Sequence, residues 1–240
     1  MSEKNTVLNT LPPYDFEAGA CLLVDKPIGL TSFDVVHRLR GAIKKRLGLK
    51  DIKVGHAGTL DPLATGLLLI CTGKYTKRID ELMGKNKSYA GSLRLGETTP
   101  CFDGEQPVDA TYPTSHITAE LLEQARQQFV GKIAQMPPQF SAIKKEGKRA
   151  YESARAGETV ELAAREIEIL SFELPKIDMP NVDFAADCSK GTYMRALVRD
   201  FGLAVGSGAW MTGLRRTAIG EFSINEAWPL DELLQRIQNM

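Results

Sequence analysis

Apolar positions along the chain fall into two patterns, unbroken runs and helical stripes. Ala20-Cys21-Leu22-Leu23-Val24 is an unbroken run closed by Asp25 and then by Lys26-Pro27-Ile28-Gly29, which predicts a short buried strand ending in a turn. Val35, Val36, Leu39, Ile43 and Leu47 then recur at helical spacing. Thr31 or Ser32 supplies the cap of that helix, and Asp34 sits where it favours the N-terminal dipole. Leu67-Leu68-Leu69-Ile70 predicts a second buried strand, 75–83 a short amphipathic helix, and 88–95 a strand closed by Gly96.

Further on, Thr118 caps a helix expected to reach about residue 130, with Leu121, Leu122, Ala125 and Phe129 facing inward. Residues 160–174 alternate well enough for strands, 182–188 is another strand and 192–205 a helix. Residues 210–223 read as a hairpin or bent strand, and a closing helix begins at Leu230. Two stretches read as irregular: a polar tail over 1–19 and an acidic, turn-rich, exposed segment over 97–113. In 136–157, Pro137-Pro138 imposes an extended entry, the middle is basic, and 151–155 suits one or two helical turns. Internal repeats and low-complexity tracts are absent from the sequence.

One segment fits neither pattern. Gly55-His56-Ala57-Gly58-Thr59-Leu60-Asp61-Pro62-Leu63-Ala64-Thr65-Gly66 packs three glycines and a proline between two structured regions. That density specifies a fixed, non-repetitive backbone path. Asp61 is thereby a carboxylate held at the mouth of a core strand, either a turn residue bonding nearby amides or a positioned reacting group.

Length and charge narrow the choice. At 240 residues and 43% hydrophobic, the chain is long enough for one large domain with an insertion. The net charge of zero hides an asymmetry: residues 1–95 carry fifteen Lys and Arg against nine Asp and Glu, a net of +6, and the remainder is −6. The first part can therefore offer phosphate contacts while the whole stays neutral. The four cysteines lie far apart without metal-ligand spacing, so neither a metal site nor a disulfide framework is expected, and a reducing cytoplasm fits. Neither a signal peptide nor a membrane span is expected.

GHAGTLDPLATG resembles the catalytic motif of the TruB family of tRNA pseudouridine synthases, and further segments match that family in the same order. They are Val24-Asp25-Lys26-Pro27-Ile28-Gly29-Leu30-Thr31-Ser32, Lys87-Ser88-Tyr89, and Pro137-Pro138-Gln139-Phe140-Ser141-Ala142-Ile143-Lys144 followed by Tyr151 and Ala154-Arg155. Cys188-Ser189-Lys190-Gly191-Thr192-Tyr193-Met194-Arg195 and Leu214-Arg215-Arg216 with Gly220-Glu221-Phe222 complete the set. The resemblance implies an α+β fold, a mixed and mostly antiparallel central sheet flanked by helices. It also implies a catalytic domain over 20–240, with 136–157 as a thumb-like, RNA-gripping insertion. Many members continue into a C-terminal PUA domain; here about eighteen residues follow Phe222, and no PUA domain is expected.

The implied reaction turns uridine-55 of the tRNA T-loop into pseudouridine. The N1–C1′ bond breaks, the uracil turns, and C5 bonds to the sugar, so no cofactor and no metal are expected. One carboxylate can serve as nucleophile at a glycosidic carbon. By the resemblance that group is Asp61, and Arg195 is the guanidinium that keeps it ionised. The target base must leave its stack. Tyr89 is expected to stack on the uracil and could act as a base, His56 to occupy space in the T-loop, and Tyr193 and Leu214 to touch the substrate. Lys144, Lys145, Lys148 and Arg149 are expected at RNA phosphates, and Lys26 and Pro27 to support the Asp61 loop.

The expected partner is the tRNA T-arm, bound by a cytoplasmic monomer with no membrane and no guide RNA. Two alternatives compete with this reading. A guide-RNA-dependent relative relies on a PUA domain, and a non-catalytic RNA chaperone has no need of both Asp61 and Arg195.

Overall fold

The computed structural model describes residues 14–141, 144, 145, 148–158 and 160–240, with backbone only at 144, 145, 148, 149 and 151. It divides into two compact units, one built from the chain up to Tyr89 together with Arg215–Met240, the other from Ala90–Leu214. The fold is α+β, as expected, and strand pairing is mixed and mostly antiparallel. Among the described residues no helix is long and apolar enough to cross a membrane.

The first unit opens with β1 (Cys21–Lys26), α1 (Ser32–Leu47), β2 (Val54–His56) and β3 (Thr65–Thr72). A short 3₁₀ turn over Gly73–Arg78 leads into α2 (Ile79–Met83), and β4 (Lys87–Leu95) follows, passing into the second unit after Tyr89. Strands β1 and β3 pair antiparallel from Cys21 opposite Cys71 to Lys26 opposite Gly66, and β2 pairs antiparallel with β3. Both faces of this pair are covered. Leu22, Val24, Leu68 and Ile70 pack on the α1 side, while Leu23, Leu67 and Leu69 pack with Ala57, Leu82, Ile219 and Phe222 on the other. Burial on both faces is why these strands read as unbroken apolar runs.

Helix α1 forms where its sequence says it should. Thr31 caps it, accepting from the Asp34 N–H at 3.0 Å, while the Asp34 carboxylate accepts from the Thr31 N–H at 2.8 Å. Val35, Val36, Leu39, Ala42 and Ile43 are buried. Leu47, expected in the same stripe, is exposed: Gly48 ends the helix in the left-handed region (φ 67°), and Leu49 turns back onto the core in its place.

The second unit contains β5 (Glu97–Thr98), β6 (Ala110–Thr111), α3 (Ala119–Gln127), β7 (Gly131–Gln135), β8 (Lys144–Lys145), β9 (Lys148–Arg149), α4 (Ala150–Arg155), β10 (Arg165–Asp178), β11 (Asn181–Cys188), α5 (Met194–Ala204) and most of β12 (Ala209–Ile219). Within it, β4, β11, β10 and β7 lie in that order. Phe172 packs edge-on against Phe129, Phe184 and Phe201, with ring centroids 5.5–6.3 Å apart. Back in the first unit, β13 (Phe222–Ser223) turns against the end of β12, β14 (Trp228–Pro229) adds beside β1, and α6 (Leu230–Asn239) packs on α1.

Several expectations need correction. The tail reading of 1–19 does not extend to Tyr14 and Phe16, which are buried against β1 and α6; residues 1–13 lie outside the described residues. The segment 97–113 is not simply exposed, since Thr99, Cys101 and Asp103 are buried. Helix α3 stops at Gln127, ahead of a turn and Gly131 (φ 103°), which opens the unforeseen strand β7. No strand occupies 160–164; β10 begins at Arg165 and runs through Pro175, where a register shift between Glu173 and Lys176 absorbs the missing N–H.

Gly66 has no room for a side chain. Its φ is +103°, and a Cβ there lies 2.3 Å from the carbonyl oxygen of Arg216, with which it pairs across β3 and β12. Gly66→Ala is therefore expected to cost about 3 kcal/mol through strain and overlap together. Urea unfolding of the variant beside the parent measures it, and a loss under about 0.5 kcal/mol contradicts the close approach.

Candidate active site

Asp61 lies in the loop between β2 and β3, and backbone and buried cations fix that loop from beneath. The Ala57 N–H bonds to Leu69 O (2.9 Å), and the Gly29 N–H to Pro62 O (2.8 Å). The Ser32 hydroxyl both accepts from Leu60 N–H (2.8 Å) and donates to Leu60 O (3.1 Å). Ala57, Leu60 and Ala64 plug into the core, while Asp61 between them stays partly exposed.

Two cations are fully buried under this loop. Lys26 Nζ donates to Leu30 O (2.7 Å), Pro27 O (3.0 Å) and Pro62 O (3.4 Å). Arg216, 1% exposed, donates from Nε to Leu67 O (2.7 Å), from Nη2 to Gly58 O (3.1 Å) and from Nη1 to Thr59 O (3.4 Å). Burial pulls the Lys26 ammonium down to about 8, with the Asp61 carboxylate opposing the shift and Arg216 adding to it. Beside them Arg215 makes a two-pronged ion pair with Asp25, at 2.7 and 3.0 Å.

His56 closes β2 at the start of the same loop and is partly buried. Among the described residues its Nδ1 is buried without a hydrogen bond. Burial, and then the charge of Arg216, lower its pKa below the usual 6.5, with the Gly58 backbone partly opposing. Tyr89, in β4, is half-buried.

In the second unit Arg195 occupies the first turn of α5 and is buried. Its Nη2 donates to Phe140 O (2.8 Å) and Nη1 to Cys101 O (3.2 Å), and its Nε lies 3.5 Å from Asp103 Oδ2. Asp103 is itself buried and accepts from the Glu105 N–H (3.0 Å). The turn before α5 is fixed by the Gln135 side-chain amide, which accepts from Tyr193 N–H (2.9 Å) and donates to Tyr193 O (3.2 Å). The Tyr193 side chain and Leu214, in β12, are half-buried. The side chains of Lys144, Lys145, Lys148, Arg149 and Tyr151 lie outside the described residues; the backbones of the first four form the β8–β9 ladder.

The expected residues thus gather in two constellations. Lys26, Pro27, His56 and Asp61 share one loop system in the first unit, and Tyr193 and Arg195 share the start of α5 in the second. Sequence reasoning missed Asp103, Gln135 and the packing role of Arg216. Asp103 left a trace in Thr98-Thr99-Pro100-Cys101-Phe102-Asp103-Gly104, where a carboxylate among turn residues was read as solvent-facing.

Residues 44–194 match the description "TruB family pseudouridylate synthase (N terminal domain)", and residues 195–240 match "tRNA pseudouridylate synthase B C-terminal domain". The tRNA pseudouridine synthase B of Parabacteroides distasonis is 53% identical over 219 residues, 91% of this chain and 93% of that protein. That of Phocaeicola vulgatus is 54% identical over 212 residues, 88% of this chain and 90% of that protein. Among solved structures, a Cbf5–Nop10–Gar1 complex contains a chain 30% identical with a TM-score of 0.67, covering 92% of this chain and 54% of that one. This chain therefore spans about half the length of that solved chain, but nine-tenths of the bacterial relatives. The fold and these matches make it a pseudouridylate synthase, an isomerase. More narrowly, the chain belongs to the TruB family.

Two outcomes follow from the geometry. Arg195→Met strands a buried carboxylate at Asp103 and two carbonyls, and is expected to cost about 3–5 kcal/mol. In combination with Asp103→Asn, a double-mutant cycle should return a coupling of at least about 1 kcal/mol; additive losses contradict the pair. For His56, the lowered pKa means the unfolded chain binds its proton first as pH falls. Its contribution to stability is thus complete above 6.5 and lost as pH falls below that value. Between pH 7 and 5, His56→Gln should lose less stability than the parent in urea titrations. An equal or greater loss means that His56 is not held neutral.

Proposed function

We propose that this chain is the stand-alone enzyme that isomerises uridine-55 in the T-loop of tRNA, working in the cytoplasm as a monomer without guide RNA. The observation that carries the reading is identity above 50% across nine-tenths of two bacterial proteins named tRNA pseudouridine synthase B. Identity to the matching chain of the Cbf5–Nop10–Gar1 complex is 30%, well below that to the two proteins named tRNA pseudouridine synthase B. In this reading the catalytic domain is 20–240, and 136–157 is the insertion that closes on the RNA arm.

Asp61 is the nucleophile. Its carboxylate takes part in breaking N1–C1′; the uracil turns, C5 bonds to C1′, the C5 hydrogen leaves as a proton, and N1 gains one. Substrate and product are isomers, so the balance closes without a redox partner or group donor. Fixed backbone around Asp61 supports this role, because a nucleophile works best from a preorganised position. Arg195 is the ion-pair partner that favours the charged form of Asp61. Its guanidinium is already committed to backbone carbonyls and to Asp103, so it offers a cation of fixed position.

Tyr89 stacks on the flipped uracil, and Tyr193 and Leu214 bound the same base. His56, kept neutral by burial, enters the T-loop as an uncharged wedge. Lys26 and Pro27 support the loop from below, which accords with the Lys26 bond to Pro62 O. Lys144, Lys145, Lys148 and Arg149 meet phosphates.

Asp61→Asn tests the assignment. It keeps the shape and removes the nucleophile, so single-turnover pseudouridine formation in an unmodified tRNA transcript should fall by at least about 10³-fold. Filter binding should stay within about threefold of the parent, since the loss is in chemistry. Loss of the C5 hydrogen, followed by release of tritium from [5-³H]uridine-labelled transcript, provides the readout. Robust release by Asp61→Asn, with deamidation excluded by mass, removes Asp61 from the mechanism.

A further inference from the structure

We propose that the exposed face of α1, beginning at Phe33 beside the Asp61 loop and passing His37, Arg38 and Gly41 to Lys45, is a track for a strand of the RNA substrate. The inference rests on the tRNA-modifying reading above and extends it to a surface that none of the motifs covers.

The start of the track is fixed to the candidate active site. Ser32, the first residue of α1, exchanges two hydrogen bonds with Leu60, and the Gly29 N–H bonds to Pro62 O, so residues 28–33 and 60–63 form one rim. Three apolar side chains on that rim face water: Ile28 is 64% exposed, Phe33 63% and Leu63 38%. The core of this unit does not use them. An aromatic ring presented to solvent beside a carboxylate loop suits an unstacked nucleobase.

Charge continues the line. The helix carries five Lys and Arg against a single acid, Asp34, and that acid is bound into the N-terminal cap. Phe33, His37, Gly41 and Lys45 follow at intervals of four, and Arg38 lies beside them; all five are exposed. At 1.5 Å per residue this stripe runs for about 18 Å.

Gly41 is the independent sign. It sits in the middle of a sixteen-residue helix, where glycine is the least favourable residue after proline. Among the described residues a Cβ at 41 meets nothing within 4 Å, so no packing among them requires its absence. A bare patch of helix flanked by Arg38 and Lys45 lets a sugar–phosphate backbone approach closely, with the cations at its phosphates. A protein partner would be expected to bring complementary acids and to need no such gap.

The test separates the track from the fold and from the chemistry. Gly41→Gln should raise the melting temperature, since glutamine is the better helix former. The same variant should bind an unmodified tRNA transcript about tenfold more weakly, because the longer side chain occupies the strand's path. Phe33→Ser should weaken binding about tenfold with an unchanged salt slope, and Phe33→Trp should restore it. Arg38→Ala with Lys45→Ala should weaken binding and lower the slope of log K against log salt by about two. A Gly41→Gln protein that melts higher yet binds tRNA as the parent does overturns the track. Failure of the parent to form pseudouridine in that transcript is a different result and overturns the tRNA reading itself.

Discussion

The Arg216 guanidinium is the constraint on which the candidate catalytic loop depends. It is buried at the level of Gly66 and spends its donors on three carbonyls, of Gly58, Thr59 and Leu67. Gly58 and Thr59 lie at the start of the irregular segment and Leu67 in β3 just past its end, so a single planar group ties the entry of the loop carrying Asp61 to the strand that follows it. Guanidinium geometry suits the task because its donors form a rigid fork, whereas an ammonium has no fixed directions. The close approach of Gly66 to the Arg216 backbone follows from the same arrangement: the strand that delivers the guanidinium must touch the strand that receives it.

The second unit uses the same device. Arg195 is buried with its guanidinium on the carbonyls of Cys101 and Phe140, which lie 94 and 55 residues away along the chain. Asp103 supplies the negative charge that makes such burial tolerable. Gln135 then locks the backbone at Tyr193, directly before the helix that carries Arg195. In both units a cation proposed to act in, or to support, the reaction is held by main-chain oxygen. Main-chain acceptors cannot swing away as side chains can, so the charges they hold are positioned by the fold itself.

This explains what could be read from the residues and what could not. β1 and β3 were legible because burial on two faces leaves an unbroken apolar run, and α1 because its stripe and its Thr31–Asp34 cap are local. The Asp61 loop was legible as a fixed path from its glycines alone, and the chemistry proposed for it rests only on the order of its residues. Asp103 was misread for a physical reason: its burial is repaid by Arg195, 92 residues later, and no local pattern records a long-range ion pair. The same holds for Arg216, whose sequence context is that of an ordinary strand arginine. Phe16 looked like tail because the core cluster it joins, which includes residues as distant as Ile237, exists only after the chain has folded back.

Lys26 shows that the loop is not arranged for stability. An ammonium pulled from 10.5 in the unfolded chain to about 8 in the folded one means that the unfolded chain holds the proton more tightly. Between those two pH values its contribution to stability rises with pH, and at neutral pH its burial costs on the order of 3 kcal/mol. A chain under pressure for stability alone would place a methionine there and bond the carbonyls of Leu30 and Pro62 some other way. A second buried cation, Arg216, lies under the same loop and is one of the causes of that shift. What two buried cations provide in return is positive potential beneath a backbone that they also hold still. A fixed backbone over positive potential is what the role proposed for Asp61 calls for.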